Sequence, residues 1–396
     1  MAIKKSNKTK EDKTEKIAVG LTKETQALLN SYAEDEPETE FMETGNIGFD
    51  MAVSNGLGIP IGSSILIWAE HACGKTTLFG DISRRLIKKH KDKGEEYKVL
   101  YLAVEGSREL LRKLVTDEYM KSKDFIYIEK RLCWRQIEQL YDMVLSDTGA
   151  YAGVKLIVID SVNNVLSDQN LKNSVADGDF GTKARERSNF YSKYLPLCKQ
   201  KGINTFMVSQ IRQKQDTAPG AFVEKKKAAV SDSDLHNADI IMKCTKNLSH
   251  TETVKLKEKT AYYEEEKGVL KYIMILDPTN AASKNRYDRT HKCEILIEKG
   301  VGACNYYALR KILEFHGFLK KSGAYYSFTS EVCKAIEKAP EKSMLKDPLD
   351  EILQDNAGDF VEFLKNHGCY SIASTEKVSL EEGAVEPEPE ETPEEE

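Results

Sequence analysis

Ser64-Ile65-Leu66-Ile67-Trp68-Ala69-Glu70-His71-Ala72-Cys73-Gly74-Lys75-Thr76-Thr77 decides the fold of this chain. An apolar run followed at once by Gly-Lys-Thr reads as a buried strand that turns through a phosphate-binding loop into a helix. Backbone N–H groups of such a loop converge on the β-phosphate of a nucleoside triphosphate, and the positive end of the following helix adds to the attraction. The Lys75 ammonium neutralises phosphate charge, and the Thr76 hydroxyl is suited to Mg²⁺. Leu78, Ile82 and Leu86 recur every four residues and give that helix one apolar stripe. The expected nucleotide loop is therefore Ala69, Glu70, His71, Ala72, Cys73, Gly74, Lys75, Thr76 and Thr77. It departs from the motif at Ala69, where the motif has Gly; if that position demands φ > 0, alanine is strained there.

Working outward, apolar runs at 64–68, 99–104, 125–128, 155–160, 204–209 and 239–244 are spaced as strands alternating with helices. They predict an α/β fold with a mainly parallel sheet and ligands at the carboxyl ends of its strands. Three of those ends carry chemistry. Leu156-Ile157-Val158-Ile159 runs into Asp160-Ser161, the Walker B position, where a carboxylate holds Mg²⁺ through water; an aspartate there also serves as a helix cap. Tyr101-Leu102-Ala103-Val104 runs into Glu105, a carboxylate suited to polarise the water that attacks a γ-phosphate. Thr205-Phe206-Met207-Val208 runs into Ser209-Gln210, whose amide can hydrogen-bond a γ-phosphate and report its loss.

With 396 residues and 40% hydrophobic content the chain can bury a large core, so length suggests one big domain with smaller attachments. No apolar run approaches the roughly 18 residues a membrane span needs. Residues 1–16 are basic and polar without an apolar segment, unlike a secretory signal. The eight cysteines show no C-x-x-C pair and no zinc spacing, and read as reduced thiols of a cytosolic protein. Residues 376–396 hold ten Glu and one Lys, a net −9 against −6 for the whole chain, leaving a body of +3. That Pro/Glu-rich tail is expected to be disordered, either as a solubility device or as a mimic of nucleic-acid charge.

These residues resemble the RecA recombinases of bacteria together with the phage UvsX proteins, over residues 41 to about 330. Glu43-Thr44-Gly45-Asn46-Ile47-Gly48-Phe49-Asp50 and Gly56-Leu57-Gly58-Ile59-Pro60-Ile61-Gly62 are similar to the family's entry into its phosphate loop. Asp160-Ser161-Val162 is similar to its Walker B, and Gln210-Ile211-Arg212 with Lys214 to the strand end before its second DNA loop. Lys284-Asn285-Arg286 resembles its Lys-Asn-Lys, and residues 323–328 a hairpin of its C-terminal domain. The resemblance implies a RecA-like P-loop NTPase core that uses ATP and Mg²⁺, with Glu105 as catalytic carboxylate and Gln210 as γ-phosphate sensor. Lys284 and Arg286 would reach the neighbouring protomer's γ-phosphate. The implied organisation is an N-terminal protomer-docking segment with a helix at 22–33 and a linker (1–40), the core (41–300), a small C-terminal domain (301–372) and the acidic tail (373–396). Where the family has an acidic residue before that Glu this chain has Val104, and its adenine-stacking Tyr has no evident counterpart.

Two loops fall where the family places its DNA-binding loops. Residues 168–183 contain Phe180 and Lys183, followed by Arg185 and Arg187; residues 212–234 contain Arg212, Phe222, Lys225, Lys226 and Lys227. Flexible glycine beside an aromatic and cations suits single-stranded DNA, with phosphates on Lys and Arg and an apolar side chain at the bases. The resemblance implies a cytoplasmic, ATP-dependent filament on single-stranded DNA that pairs with homologous duplex, aided by single-strand-binding and loader proteins. A ring-shaped helicase on the same core, or a DNA scaffold with structural nucleotide, remain alternatives. The tyrosines of Tyr325-Tyr326 read as core.

Overall fold

In the computed structural model, residues 39–69, 72–105, 108–168, 181–210, 212–213, 226–227, 230–247, 271–279, 283–286, 292–298 and 301–369 are described. Strands β1 (Phe41–Met42) and β2 (Ile59–Pro60) pair antiparallel around helix α1 (Ile47–Ser54), which Asn46 caps by accepting from the Phe49 N–H at 2.9 Å. Strand and helix then alternate through β3 (Ser64–Ala69), α2 (Lys75–Asp92), β4 (Lys98–Ala103), α3 (Arg108–Lys121), β5 (Phe125–Ile128), α4 (Trp134–Leu145), β6 (Val154–Asp160), α5 (Thr182–Gln200) and β7 (Asn204–Gln210). A short hairpin of β8 (Arg212–Gln213) and β9 (Lys226–Lys227) leads to α6 (Asp232–Asn237) and β10 (Ile240–Asn247). Next come β11 (Lys271–Asp277), β12 (Lys284–Asn285), β13 (Cys293–Glu298) and β14 (Gly302–Cys304).

These strands form one sheet in the order β14-β13-β11-β10-β3-β7-β6-β4-β5, with β12 also on β10. From β10 to β5 every pairing is parallel, the run expected from the sequence. The β10-β11-β13-β14 side and β12 add an antiparallel extension.

The central strands read as apolar runs because helices cover both faces of the sheet. Alternate side chains point to opposite sides. Ile65, Ile67 and Ala69 of β3 pack with Leu78, Phe79 and Ile82 of α2 and Leu111 of α3, whereas Leu66 and Trp68 pack with Trp134 and Tyr141 of α4 and Phe190 and Tyr194 of α5. Each such fully buried large side chain contributes roughly 1.5–3 kcal/mol. Helices α2 and α3 approach through Gly80, where a Cβ would stand 2.8 Å from Leu111 Cδ2. Even alanine at 80 would require the Leu111 methyl to shift.

Beyond the sheet lie α7 (Asn305–Phe315), the hairpin β15 (Leu319–Ser322) with β16 (Tyr325–Phe328), α8 (Ser330–Ala335), α9 (Lys346–Asp355) and α10 (Ala357–Asn366). Leu309, Leu313, Leu349 and Phe360 share a core there with Ile47 of α1. Tyr326 belongs to this core, but Tyr325, one residue earlier and on the other face of β16, is 53% exposed. The expectation that both tyrosines are core therefore holds for one. The helix expected at 22–33 and the acidic tail lie outside the described residues. Among the described residues, no helix is long and apolar enough to cross a membrane. All eight cysteines are free thiols, and Cys73, Cys133, Cys198, Cys244 and Cys304 are buried.

Candidate active site

Strand β3 lies between β7 and β10, and Ala69 at its end is in register with Gln210 on one side and Cys244 on the other. Ala69 is a buried strand residue, so the strain considered for it does not arise. Among the described residues of the loop, Ala72 at φ 58° and Gly74 at φ 90° are left-handed. Gly74 is the N-cap of α2, where backbone curvature and the helix end together favour an anion. Lys75 is buried, with Nζ 3.5 Å from the Ala69 carbonyl, and Thr77 is buried behind it in the first turn. Cys73 is also buried, its carbonyl facing Cys244 Sγ at 3.9 Å. Glu70 and His71 lie outside the described residues.

The sheet order brings the ends of β3, β7, β6 and β4 side by side. At the β6 end the Thr76 hydroxyl donates to Asp160 Oδ2 at 2.6 Å, and the Tyr101 hydroxyl donates to the same oxygen at 3.0 Å. Burial pushes the Asp160 carboxyl above the usual range, and these two hydrogen bonds oppose the shift. A hydroxyl and a carboxylate meeting at a helix N-terminus are hard oxygen donors of the kind Mg²⁺ takes, so the donor set fits that ion. Tyr101 went unrecognised in the sequence because its phenol sits on a strand that reads as wholly apolar.

Glu105 and Gln210 meet across the strand ends. Gln210 Nε2 donates to both carboxylate oxygens of Glu105, at 2.6 Å to Oε2. Ser161 Oγ donates to Glu105 Oε1 at 2.6 Å, and Asn164 Nδ2 donates to the same oxygen. Asn163 Oδ1 accepts from Ser209 Oγ at 2.8 Å and from the Gln210 backbone N–H at 2.9 Å. The 3₁₀ turn Val162–Asn164 that carries both asparagines follows the cis peptide Asp160–Ser161. Neither asparagine is marked by any sequence motif.

The cations assigned to DNA have differing surroundings. Lys183, Arg185 and Arg187 lie on helix α5 rather than in a loop. Arg185 is exposed, whereas Lys183 Nζ donates to the Asn163 carbonyl. Arg187 donates to Asp234 Oδ2 at 2.5 Å and to Ser231 Oγ, so its guanidinium joins α5 to the start of α6. For Arg212, Lys226 and Lys227 the backbone alone is described, as β8 and β9; Phe180, Phe222 and Lys225 lie outside the described residues.

Lys284 opens β12 and Arg286 follows it, and both close on the far end of α6. Lys284 Nζ donates to the Leu235 carbonyl at 2.6 Å, and Arg286 donates to the His236 carbonyl at 3.1 Å. Arg286 also pairs with Asp239 Oδ1 at 3.2 Å. Asp239 Oδ2 accepts from the Ser64 N–H at 2.9 Å and the Ser64 hydroxyl at 2.8 Å, at the foot of β3. Burial and the neighbouring guanidinium lower the Lys284 pKa. The structure thus gathers Lys75, Thr76, Asp160, Glu105 and Gln210, while Lys284 and Arg286 are held at α6.

Compared with known proteins, the chain matches the RecA N-terminal domain family over residues 13–224. It is also similar to the protein RecA of Mannheimia haemolytica, 23% identical over 304 residues that cover 74% of this chain and 71% of that protein.

Proposed function

This chain belongs to the RecA family, and from that premise we propose that it is a DNA-dependent ATPase that assembles as a helical filament on single-stranded DNA and promotes homologous pairing and strand exchange. The observation that carries the reading is the contact of Thr76 with Asp160 at 2.6 Å beside the Glu105–Gln210 pair, all at the carboxyl ends of neighbouring strands. In this reading ATP lies along the loop from Ala69 to Thr77, and Mg²⁺ offsets the charge of its phosphates. Lys75 neutralises phosphate charge, while Thr76 and Asp160 hold the metal. Glu105 orients and polarises the attacking water. A γ-phosphate competes with Glu105 for the Gln210 amide, so nucleotide state is felt at the start of β8 and the second DNA loop. Lys284 and Arg286 leave the carbonyls of α6 to complete the neighbouring protomer's site, as an arginine finger does.

The DNA surface of this proposal comprises Phe180, Lys183, Arg185, Arg212, Phe222, Lys225, Lys226 and Lys227, with Arg187 acting by joining the two loop helices. Residues 1–40 serve protomer docking, 41–300 the ATPase core, 301–372 a small accessory domain and 373–396 an acidic tail. The protein works in the cytoplasm with single-strand-binding and loader proteins. Phosphate release with and without single-stranded DNA tests the function. Stimulation by DNA is the expected result, and its absence would leave a scaffold with structural nucleotide. Electron microscopy with a slowly hydrolysed ATP analogue separates filaments from closed rings.

A further inference from the structure

Asn163 and Asn164 are consecutive, identical in type and opposite in what they do. Successive residues of a 3₁₀ turn point about 120° apart. Asn163 accordingly reaches the end of β7 and Asn164 the end of β4. At Asn163 the partner is a backbone N–H, which only donates, so the amide oxygen must accept; Gln210 N–H lies 2.9 Å from it and Ser209 Oγ 2.8 Å. At Asn164 the partner is the Glu105 carboxylate, which accepts, so the amide nitrogen must donate. Asn164 Nδ2 also reaches Ser161 Oγ at 3.4 Å, and Ser161 itself donates to Glu105 at 2.6 Å.

We propose that Asn163 and Asn164 are positioning residues of the hydrolytic site, Asn163 fixing Gln210 as an acceptor and Asn164 fixing Glu105 as a donor. The turn between them is a bracket from the Walker B strand to both neighbouring strand ends. It sets the separation of the water-polarising carboxylate from the γ-phosphate amide before nucleotide arrives. Glu105 is exposed, so solvent does not hold its rotamer; the donors on the turn do. The Asn163 carbonyl accepts from Lys183 of α5, which puts this bracket in contact with the helix leaving the first proposed DNA loop. The inference rests on the reading of Glu105 and Gln210 as the hydrolytic pair.

Opposite polarity gives the two positions opposite tolerances. Aspartate keeps an acceptor oxygen but loses the donor. Asn163→Ala is expected to lower kcat for ATP by about tenfold, the size of effect expected from losing the hydrogen bond that orients Gln210. Asn163→Asp restores kcat to within about threefold of wild type. Asn164→Ala also loses about tenfold, but Asn164→Asp falls further, because it sets a like charge beside Glu105. In all four variants KM for ATP and the affinity for a fluorescent ATP analogue stay within about twofold, since the phosphate loop is untouched.

The experiment is steady-state ATPase of the four full-length variants, with and without single-stranded DNA, beside nucleotide titration. Rescue by Asp at 163 and further loss at 164 supports the proposal. Equal behaviour of Ala and Asp at both positions, wild-type kcat throughout, or nucleotide affinity falling in step with kcat overturns it, the last by showing a merely structural role. Glu105→Gln is the separate control: wild-type turnover in that variant overturns the reading of Glu105 itself, whatever the asparagine variants do.

Discussion

Arg187 and Asp234 meet at 2.5 Å with the Asp234 side chain fully buried, and the pair joins the helix after the first proposed DNA loop to the helix after the second. Removing one partner of a buried pair leaves the other charge uncompensated, at a cost of about 3–5 kcal/mol. Arg187→Ala is therefore expected to lower the melting temperature markedly. Arg185→Ala, on an exposed site of the same helix, is expected to melt like wild type while weakening single-strand binding. Its log–log salt slope should fall by about one phosphate contact. Thermal melts and a salt series on both variants check this; equal melting of the two would remove the structural assignment of Arg187.

The loop conformation moves the strain considered for Ala69 to Ala72. Ala69 is a buried strand residue, and Ala69→Gly should lose about 0.5–1 kcal/mol of stability. Ala72 is at φ 58°, where glycine costs nothing, so Ala72→Gly should gain about 1 kcal/mol. Denaturant midpoints of the two variants moving in the same direction would contradict the geometry. Lys75→Ala removes the buried ammonium and should weaken ATP binding by at least about a hundredfold in a fluorescent-nucleotide titration.

Asp50 is buried and accepts from the Thr44 N–H and hydroxyl, yet desolvation raises its pKa to about 7 from 3.8. The folded state then binds a proton that the unfolded state has released between about pH 4 and pH 7. Stability is greatest below that window and falls as pH rises through it, by up to about 1.4 kcal/mol per unit. Melting curves of wild type minus Asp50→Asn, taken at pH 5, 6 and 7, should show this loss. Parallel pH profiles for the two proteins would refute it.

Arg286→Ala should keep ATP binding, since the phosphate loop is intact, and lose DNA-stimulated turnover. Mixing it with Glu105→Ala should restore part of the activity, because some interfaces then join a good cation to a good site. Phosphate-release rates of each pure variant and of the mixture test the idea; full stimulated turnover in pure Arg286→Ala would exclude an essential role in trans.

The parallel half of the sheet was legible because strands covered on both faces carry unbroken apolar runs, as residues 65–69 in β3 and 156–159 in β6 do. Glu105, Asp160 and Gln210 were legible because each ends such a run. The antiparallel extension went unread, although Tyr272-Ile273-Met274-Ile275-Leu276 carries the signal of a strand. The roles of Asn163, Asn164 and Tyr101 had no signal, since an amide or a phenol acquires a role only from what the fold sets opposite it. Arg187 read as a DNA contact because its partner Asp234 is 47 residues away, beyond any local pattern.

The position of β3 bears on how the protein is made. Its neighbours are β7 and β10, and the contact of Ser64 with Asp239 spans 175 residues. At roughly 5–20 residues per second on a ribosome, the first strand of the nucleotide site waits about 9 to 35 seconds for its last flanking strand. Until β10 emerges, one edge of β3 has no native partner, although the helices that cover its two faces have already been made. A nascent chain released before Asp239 therefore ends with an open edge at an apolar central strand, the condition that invites aggregation and chaperone capture.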